Sequence, residues 1–385
     1  MNTKKIKIAI LTDTLSEHLG LVFSDFPLFL ANHNDSFTAV ETIGSWNEDP
    51  VLGKAFAEKK GYRNLTLDEI RDEADLVLNY MCGPTKDDLS REMVSAGKHV
   101  LVLKRCADSL KNAKEIAAIA EEKGVVYASS MDDYLSASMQ TARYLLDHGI
   151  IGKPGSGVMS MNRRHFVLGE STTFLYEPAH DVFNNMSNWY LFPMITMLGP
   201  VRRVFAFGTA SPDSYLVKKT DSEFYGQEYS LHAHDVITAV LEFVSGVKFT
   251  LHMNGNSSPR QRYIFDIYGD EGVLILSHPH DYDSPVLVQK NNADPVSVPF
   301  THGFDHHIQE LAPAEVAWSL FNHRKSRINA EISVHEVDIM EGIKESIRTG
   351  LPVEMTTTCE RPEPLQEGYI GNGFWQRGEE TVLSL

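Results

Sequence analysis

Four short apolar runs, at residues 6–11, 37–43, 75–80 and 99–103, recur over the first third of the chain with helical stretches between them. Each run is rich in β-branched residues and too short to be a helix, so each is predicted as a strand. The stretches between them carry helical patterns at 51–60, 67–73, 86–96 and 109–123, with Thr66 and Ser109 placed to cap two of them. Parallel strands need a crossover of a dozen residues or more, usually helical, and this alternation supplies it. Residues 1–124 are therefore predicted to form a doubly wound α/β domain with a parallel sheet.

After residue 124 the pattern changes. A helix is predicted at 136–148, closed by Gly149, and beyond Gly157 apolar residues alternate with polar ones at 201–207, 236–243, 248–253, 263–268, 273–276 and 286–289. Turn signals such as Ser245-Gly246 and Asp270-Glu271-Gly272 join these runs, which predicts an antiparallel sheet. Helices predicted at 189–198, 313–322 and 330–349 make this second domain, residues 125–355, an α+β domain. Residues 356–385 are expected to form a C-terminal tail packed on the domains.

Charge excludes some functions. With 35 basic and 52 acidic residues in a protein of 385, the formal net charge of −17 repels phosphate backbones and anionic lipid surfaces, so neither nucleic acid nor membrane is expected as a partner. The longest apolar stretch, 189–198, is broken by Pro193 and Thr196 and reaches about half of the ~18 residues a bilayer span needs. The run after Lys4, Lys5 and Lys7 stops at Thr12-Asp13, short of a signal-peptide core. Cys82, Cys106 and Cys359 show no C-x-x-C spacing and fit a reducing compartment. A cytoplasmic protein is expected.

The segment Gly97-Lys98-His99-Val100-Leu101-Val102-Leu103-Lys104-Arg105 resembles the G-K-H-V-L-x-E-K-P motif of the Gfo/Idh/MocA oxidoreductases. The resemblance continues through Ile151-Gly152-Lys153-Pro154, Leu198-Gly199-Pro200, Tyr268-Gly269-Asp270-Glu271-Gly272-Val273-Leu274 and the late run from Val334-His335-Glu336-Val337 to Gly350-Leu351-Pro352-Val353. It implies a Rossmann-type N-terminal domain, a C-terminal α+β domain with an open, mostly antiparallel sheet, NAD or NADP as cofactor, and a carbohydrate substrate. It also implies a homodimer or homotetramer.

Departures fall on the chemistry. A dinucleotide fold uses G-x-G-x-x-G after its first strand so that the backbone can approach the pyrophosphate. Here Thr12-Asp13-Thr14-Leu15-Ser16-Glu17 stands in that place, so Thr12, Asp13 and Thr14 become the candidate cofactor contacts, with Asp13 and Glu17 facing an anion. After the second strand, where an acidic residue would hold the ribose, the chain reads Gly44-Ser45-Trp46-Asn47-Glu48, and Trp46 is a candidate for stacking on adenine. Met81-Cys82 replaces the threonine-proline expected after the third strand.

Lys104 keeps the family's catalytic lysine position. The resemblance implies that it lies beside the nicotinamide and hydrogen-bonds the reacting hydroxyl or carbonyl, and Arg105 adds a second cation that lowers the lysine pKa or binds an acidic group. The second-domain helix, where the family carries D-x-x-x-H or D-x-x-x-Y, reads Asn185-Met186-Ser187-Asn188-Trp189. Asn185 still hydrogen-bonds a sugar hydroxyl, Trp189 cannot shuttle a proton, and His180 and Tyr190 are the neighbouring candidates. Lys104, His180 and Asn185 are thus the expected catalytic residues, and Trp189 and Tyr190 join them in substrate binding. Among sixteen histidines, the pairs His232/His234 and His278/His280 and the doublet His306-His307 complete no long-range ligand set, and no metal is expected. The expected function is an NAD(P)-dependent oxidoreductase of a sugar, inositol or keto-sugar derivative. Two alternatives stay open: a sugar-binding or regulatory protein of this fold that has lost the dinucleotide, and a non-redox epimerase or lyase.

Overall fold

The structure, a computed structural model, describes residues 6–13, 40–162, 182–210, 214–217, 220, 225–230, 234–255, 257, 262–305 and 311–365. The residues fall into two units, one of residues 1–136, 301–337 and 362–385, the other of residues 137–300 and 338–361. The expected boundary at 124 thus moves to 136, and the expected second domain gives residues 301–337 back to the first. The reason is non-local bonding. Asp132 accepts the backbone N–H of Ala312, and Ser333 Oγ accepts the N–H of Ser129 at 2.9 Å. A buried cluster strengthens the returning segment: Glu315 takes Arg324 at 2.7 Å and Arg327 at 3.2 Å. Burial pushes the Glu315 carboxyl up, but the two guanidinium groups pull it below the usual carboxylate range.

The first unit is built on five strands, β1 (Ile6–Thr12), β2 (Val40–Asn47), β3 (Leu76–Asn79), β4 (His99–Leu103) and β5 (Tyr127–Ser130), in the order β2-β1-β3-β4-β5. Every pairing is parallel. Ile8, Ala9, Ile10 and Leu11 are all fully buried, so β1 hides both of its alternating faces, as a strand covered on two sides must. Crossover helices lie at Pro50–Lys60, Leu67–Glu73, Lys86–Ser95 and Leu110–Lys123. Their ends follow the sequence signals: Asp49 accepts from Val51 and Leu52, Thr66 and Glu69 form a capping box, and Ser109 accepts from Asn112. The second strand runs on past the expected 43 to Asn47. Gly44 permits this, because a Cβ there would sit 2.5 Å from the Arg63 carbonyl oxygen. From β1 the chain moves outward to β2 and then returns to β3 on the other side of β1, which makes the ends of β1 and β3 the topological switch point.

The second unit contains a nine-stranded sheet in the order β15-β14-β13-β12-β6-β11-β10-β7-β16, where the strands are β6 (Pro154–Asn162), β7 (Val201–Ala210), β10 (His234–Phe243), β11 (Lys248–Asn254), β12 (Arg262–Gly269), β13 (Val273–Leu276), β14 (Val286–Gln289), β15 (Val296–Val298) and β16 (Val353–Glu354). A short pair, β8 (Ser214–Leu216) and β9 (Glu228–Ser230), stands apart from it. Pairing is antiparallel except between β6 and β11. One face is apolar and buried, with Ile237, Ala239, Leu241, Phe249, Leu251, Met253, Phe265 and Ile267, while Phe207 and Val240 of the alternate set are exposed. Strand β6 was not expected, since Pro154-Gly155-Ser156-Gly157 carries no apolar signal. Gly157 is there for clearance: a Cβ would lie 2.2 Å from the Phe249 ring. Among the described residues, no helix is long and apolar enough to cross a membrane.

Candidate functional site

Strand β1 ends on residues that the fold uses itself. The Thr12 hydroxyl donates to the Trp46 carbonyl oxygen at 3.1 Å and accepts from Asn47 Nδ2 at 3.0 Å, so it ties the ends of β1 and β2 together. Asn47 Oδ1 in turn accepts the Asp49 N–H at 2.7 Å, which leads the chain into the Pro50–Lys60 helix. Asp13 crosses the switch point. Its Oδ2 accepts the backbone N–H groups of Cys82 and Gly83, each at 2.6 Å. Gly83 leaves room for this, as a Cβ would stand 3.2 Å from that oxygen. The sequence places Asp13 facing an anionic ligand; in the structure the carboxylate is buried and turned to two amides of its own chain. Trp46 leans against the hydrophobic core, and Met81 is buried within it.

At the end of β4 stands Lys104, with φ at 62°. This is the left-handed region, where an L-residue costs about 1 kcal/mol and glycine costs nothing. Strain of this kind persists where the surroundings impose it, and it gathers at functional sites. The lysine is half-buried. Burial lowers its pKa below the ordinary lysine value, with Arg105 and Lys86 lowering it further and Cys82 opposing them. The Cys82 thiol is pushed up to about 11 by burial, against the pull of Lys104. Arg105 pairs with Asp108 at 3.3 Å, and the same carboxylate takes Lys86 at 2.6 Å. Of the residues named from sequence, the structure thus gathers Asp13, Cys82, Lys104 and Arg105 at one sheet edge. Arg105 lowers the lysine, but less than burial does and less than Cys82 raises it.

Sequence reasoning missed Glu336 in the first unit. It is fully buried on the Ala330–Thr349 helix, accepts from Ser129 Oγ at 3.3 Å, and leaves Oε1 without a partner among the described residues. Burial pushes its carboxyl up to about 8, while Ser129 and Arg105 restrain the rise. The sequence signal was an acidic residue at a position whose neighbours Val334 and Val337 both read as core.

In the second unit the Val182–Met186 and Asn188–Leu198 helices carry Asn185, which is buried, Trp189, which is half-buried, and Tyr190, which is fully buried. The rings packed on them come from the connection after β13. Trp189 stacks on His280 with ring centroids 4.8 Å apart and planes at 16°. His278 lies 5.5 Å from Trp189, 5.3 Å from Tyr190 and 4.3 Å from Tyr263. The pair His278/His280 is part of an aromatic cluster. Among the described residues no group of three or more His, Cys, Asp or Glu side chains forms a metal site. Thr14 and His180, together with His232, His306 and His307, lie outside the described residues.

A parallel five-stranded sheet and a mostly antiparallel nine-stranded sheet make an architecture that known proteins share. Residues 139–275 match the family model for the GFO/IDH/MocA C-terminal domain, so the second unit carries a domain of that kind. Solved structures share the whole architecture. An NAD-binding oxidoreductase from Klebsiella pneumoniae matches with a TM-score of 0.76 at 15% identity, over 92% of this chain and 99% of that one. An oxidoreductase from Agrobacterium radiobacter, in complex with NAD+, L-tartaric acid and magnesium, matches at 0.71 and 16% identity, over 91% and 98%. Levoglucosan dehydrogenase in complex with NADH matches at 0.73 and 13% identity, over 91% and 100%. None of the curated proteins matches this chain in sequence.

Proposed function

We propose that the protein is an NAD(P)-dependent oxidoreductase of a sugar, inositol or keto-sugar derivative, with Lys104 as the residue that handles the proton on the reacting oxygen. The observation that carries this is Lys104 itself, a strained, half-buried cation at the C-terminal edge of the sheet, its pKa lowered toward the range where a lysine exchanges protons. The solved relatives of this fold bind NAD+ or NADH, and one of them is a levoglucosan dehydrogenase, which supports the cofactor and substrate classes.

The donor set fits a nicotinamide dinucleotide unevenly. Lys104 and Arg105 supply cations at one end of the switch edge, and Trp46 supplies an aromatic ring near the other. Between them, the amides of Cys82 and Gly83 are already held by Asp13, and the Thr12 hydroxyl is engaged on both sides, so phosphate contacts fall to residues beyond Asp13. When bound, the nicotinamide supplies the hydride acceptor or donor. Lys104 Nζ then hydrogen-bonds the substrate oxygen and takes or returns its proton. Burial, helped by Arg105 and Lys86, holds Nζ nearer to neutrality than an ordinary lysine, which makes it a better base.

The Asp13 bridge also favours a second reading, a protein of this fold that holds a sugar without a dinucleotide. Assay of the purified protein against sugars, inositols and keto-sugars with each nicotinamide separates the two: turnover on any of them supports the enzyme, and its absence throughout moves the assignment to the binding protein. We also infer a homodimer or homotetramer formed through the exposed face of the second-unit sheet, where Phe207 is 66% and Val240 43% exposed. A monomer in light scattering at micromolar concentration contradicts this.

A further inference from the structure

Lys86 is a lysine in an unfavourable place. It opens the Lys86–Ser95 helix, where a cation opposes the helix dipole, and its side chain is buried, where an ammonium group loses its hydration. The end of β3 anchors this first turn: Asn79 Nδ2 donates to the Lys86 carbonyl oxygen and to Ser90 Oγ, each at 2.9 Å. From the anchored turn two side chains reach the loop that follows β4. Lys86 Nζ meets Asp108 Oδ1 at 2.6 Å, and Asp87, also buried, accepts the Asp108 backbone N–H at 3.0 Å and Asn112 Nδ2 at 2.8 Å. Asp108 is thus held at its backbone and at its carboxylate by two consecutive residues.

The rest of the loop is held as well. Arg105 shares Asp108 Oδ1 at 3.3 Å, and the hydroxyl of Tyr127, fully buried on β5, donates to the Cys106 carbonyl oxygen at 2.5 Å. Lys104 therefore lies between β4 and a loop fastened at Cys106 and Asp108, and there it takes up its φ of 62°. A left-handed residue persists where its surroundings over-determine it, and these are the surroundings. The fold alone does not call for a charge at 86, since a methionine of similar length would fill the space without burying an ammonium group. The charged and titratable groups around the Lys104 amine come from every neighbouring segment: Asp13 after β1, Cys82 after β3, Lys86 and Asp87 on the helix, Arg105 and Asp108 in its own loop, and Glu336 beyond Arg105. Burial does most to lower the Lys104 pKa, Cys82 opposes it, and Arg105 and Lys86 lower it further.

We propose that Lys86 is a positioning residue for Lys104: acting through Asp108, with Asp87 beside it, it clamps the loop that holds Lys104 in the left-handed conformation and keeps a positive charge within reach of its amine. This rests on the reading of Lys104 as the residue that handles the proton, but the clamp lies wholly within the first unit and is tested without a substrate.

The full-length protein is acetylated competitively with trace acetic anhydride from about pH 7 to about pH 11, and modification of Lys104 is quantified on its peptide by mass spectrometry, because only the neutral amine reacts. In the wild type, half-maximal labelling is expected below the ordinary lysine value of 10.5. Lys86→Met should move that midpoint up, so that labelling at about pH 8 falls roughly 3- to 10-fold, and Lys86→Arg should restore it. Asp108→Asn, at an exposed position, should move the midpoint down, since the carboxylate that both cations share is gone. Asp87→Ala frees the loop, lets the amine reach water and moves the midpoint up, and Asp87→Asn, which keeps an acceptor, recovers most of the wild-type value. A role in stability alone would lower the thermal melt and leave the midpoint where it was. The proposal is overturned if neither Lys86→Met nor Lys86→Gln moves the midpoint, or if Lys86→Met and Asp108→Asn move it in the same direction. Turnover on a sugar with unmoved midpoints removes the clamp and leaves the oxidoreductase reading. Midpoints that move as expected in a protein without turnover on any sugar do the reverse.

Discussion

Two turns at the same edge of the first sheet differ in how they resolve an awkward residue. After β1, Asp13 stands where a phosphate-binding loop would have a small residue, and the fold answers its charge in full with two backbone N–H groups from across the switch point. After β4, Lys104 stands in a conformation that suits glycine, and the strain remains. The first residue is accounted for by stability. The second carries a local backbone cost at the switch edge, and costs of this kind gather at functional sites.

Lys104 variants press hardest on that contrast. Lys104→Met is expected to lower turnover by ~10²- to 10⁴-fold, the usual contribution of acid–base catalysis, with little change in the melting temperature. Lys104→Gly should lose as much activity yet gain up to about 1 kcal/mol of stability through relief of the left-handed strain. A glycine variant less stable than the wild type would show that the lysine is needed by the fold. The wild-type profile adds a further check. Because the Lys104 pKa is lowered and the neutral amine is the base, the rate of alcohol oxidation should rise with pH and level off below the ordinary lysine value near 10.5, and Lys104→Met should lack that limb.

The Asp13 variants come next. Asp13→Ala leaves two half-buried amides without their acceptor and is expected to cost about 1–3 kcal/mol in denaturant unfolding. Asp13→Asn keeps an acceptor oxygen and should cost about 1–2 kcal/mol. It is expected to weaken or leave unchanged NADH binding, since the carboxylate faces its own chain. Tighter NADH binding in Asp13→Asn would return Asp13 to the position of a charge opposing the phosphates.

Glu336 gives the most pH-specific effect. Its folded pKa, raised to about 8, exceeds the unfolded value near 4.5, so the native state binds the extra proton between those values. Its contribution to stability is present below about pH 4.5 and is lost as pH rises through 8. Glu336→Gln should remove that dependence and stabilise the protein by about 1–3 kcal/mol at pH 8, with little effect at pH 5. Equal stability of variant and wild type at both pH values would mean that the carboxyl is not held neutral.

Local chemistry made much of this legible. The four predicted strands are all present and pair in parallel, and Thr66 and Ser109 cap the helices expected of them. What escaped was non-local. Nothing near Asp13 in sequence points to Cys82 and Gly83, and nothing near Ser129 points to Ser333 or Glu336, more than two hundred residues away. Strand β6 carries Gly157 for clearance where a pattern search looks for an apolar side chain. Nothing in the sequence around His278 and His280 shows that a turn around Pro279 sends one ring into the core and the other onto Trp189.

The central claim is that this edge still binds a nicotinamide dinucleotide although Asp13 has closed the place where glycines would stand. Titration of the wild-type protein with NADH and with NADPH, followed by the fluorescence of the reduced nicotinamide, tests it directly. Saturable binding of one of them in the micromolar range, weakened in Lys104→Met, is the predicted result. No binding of either at millimolar concentration by a folded protein would contradict it.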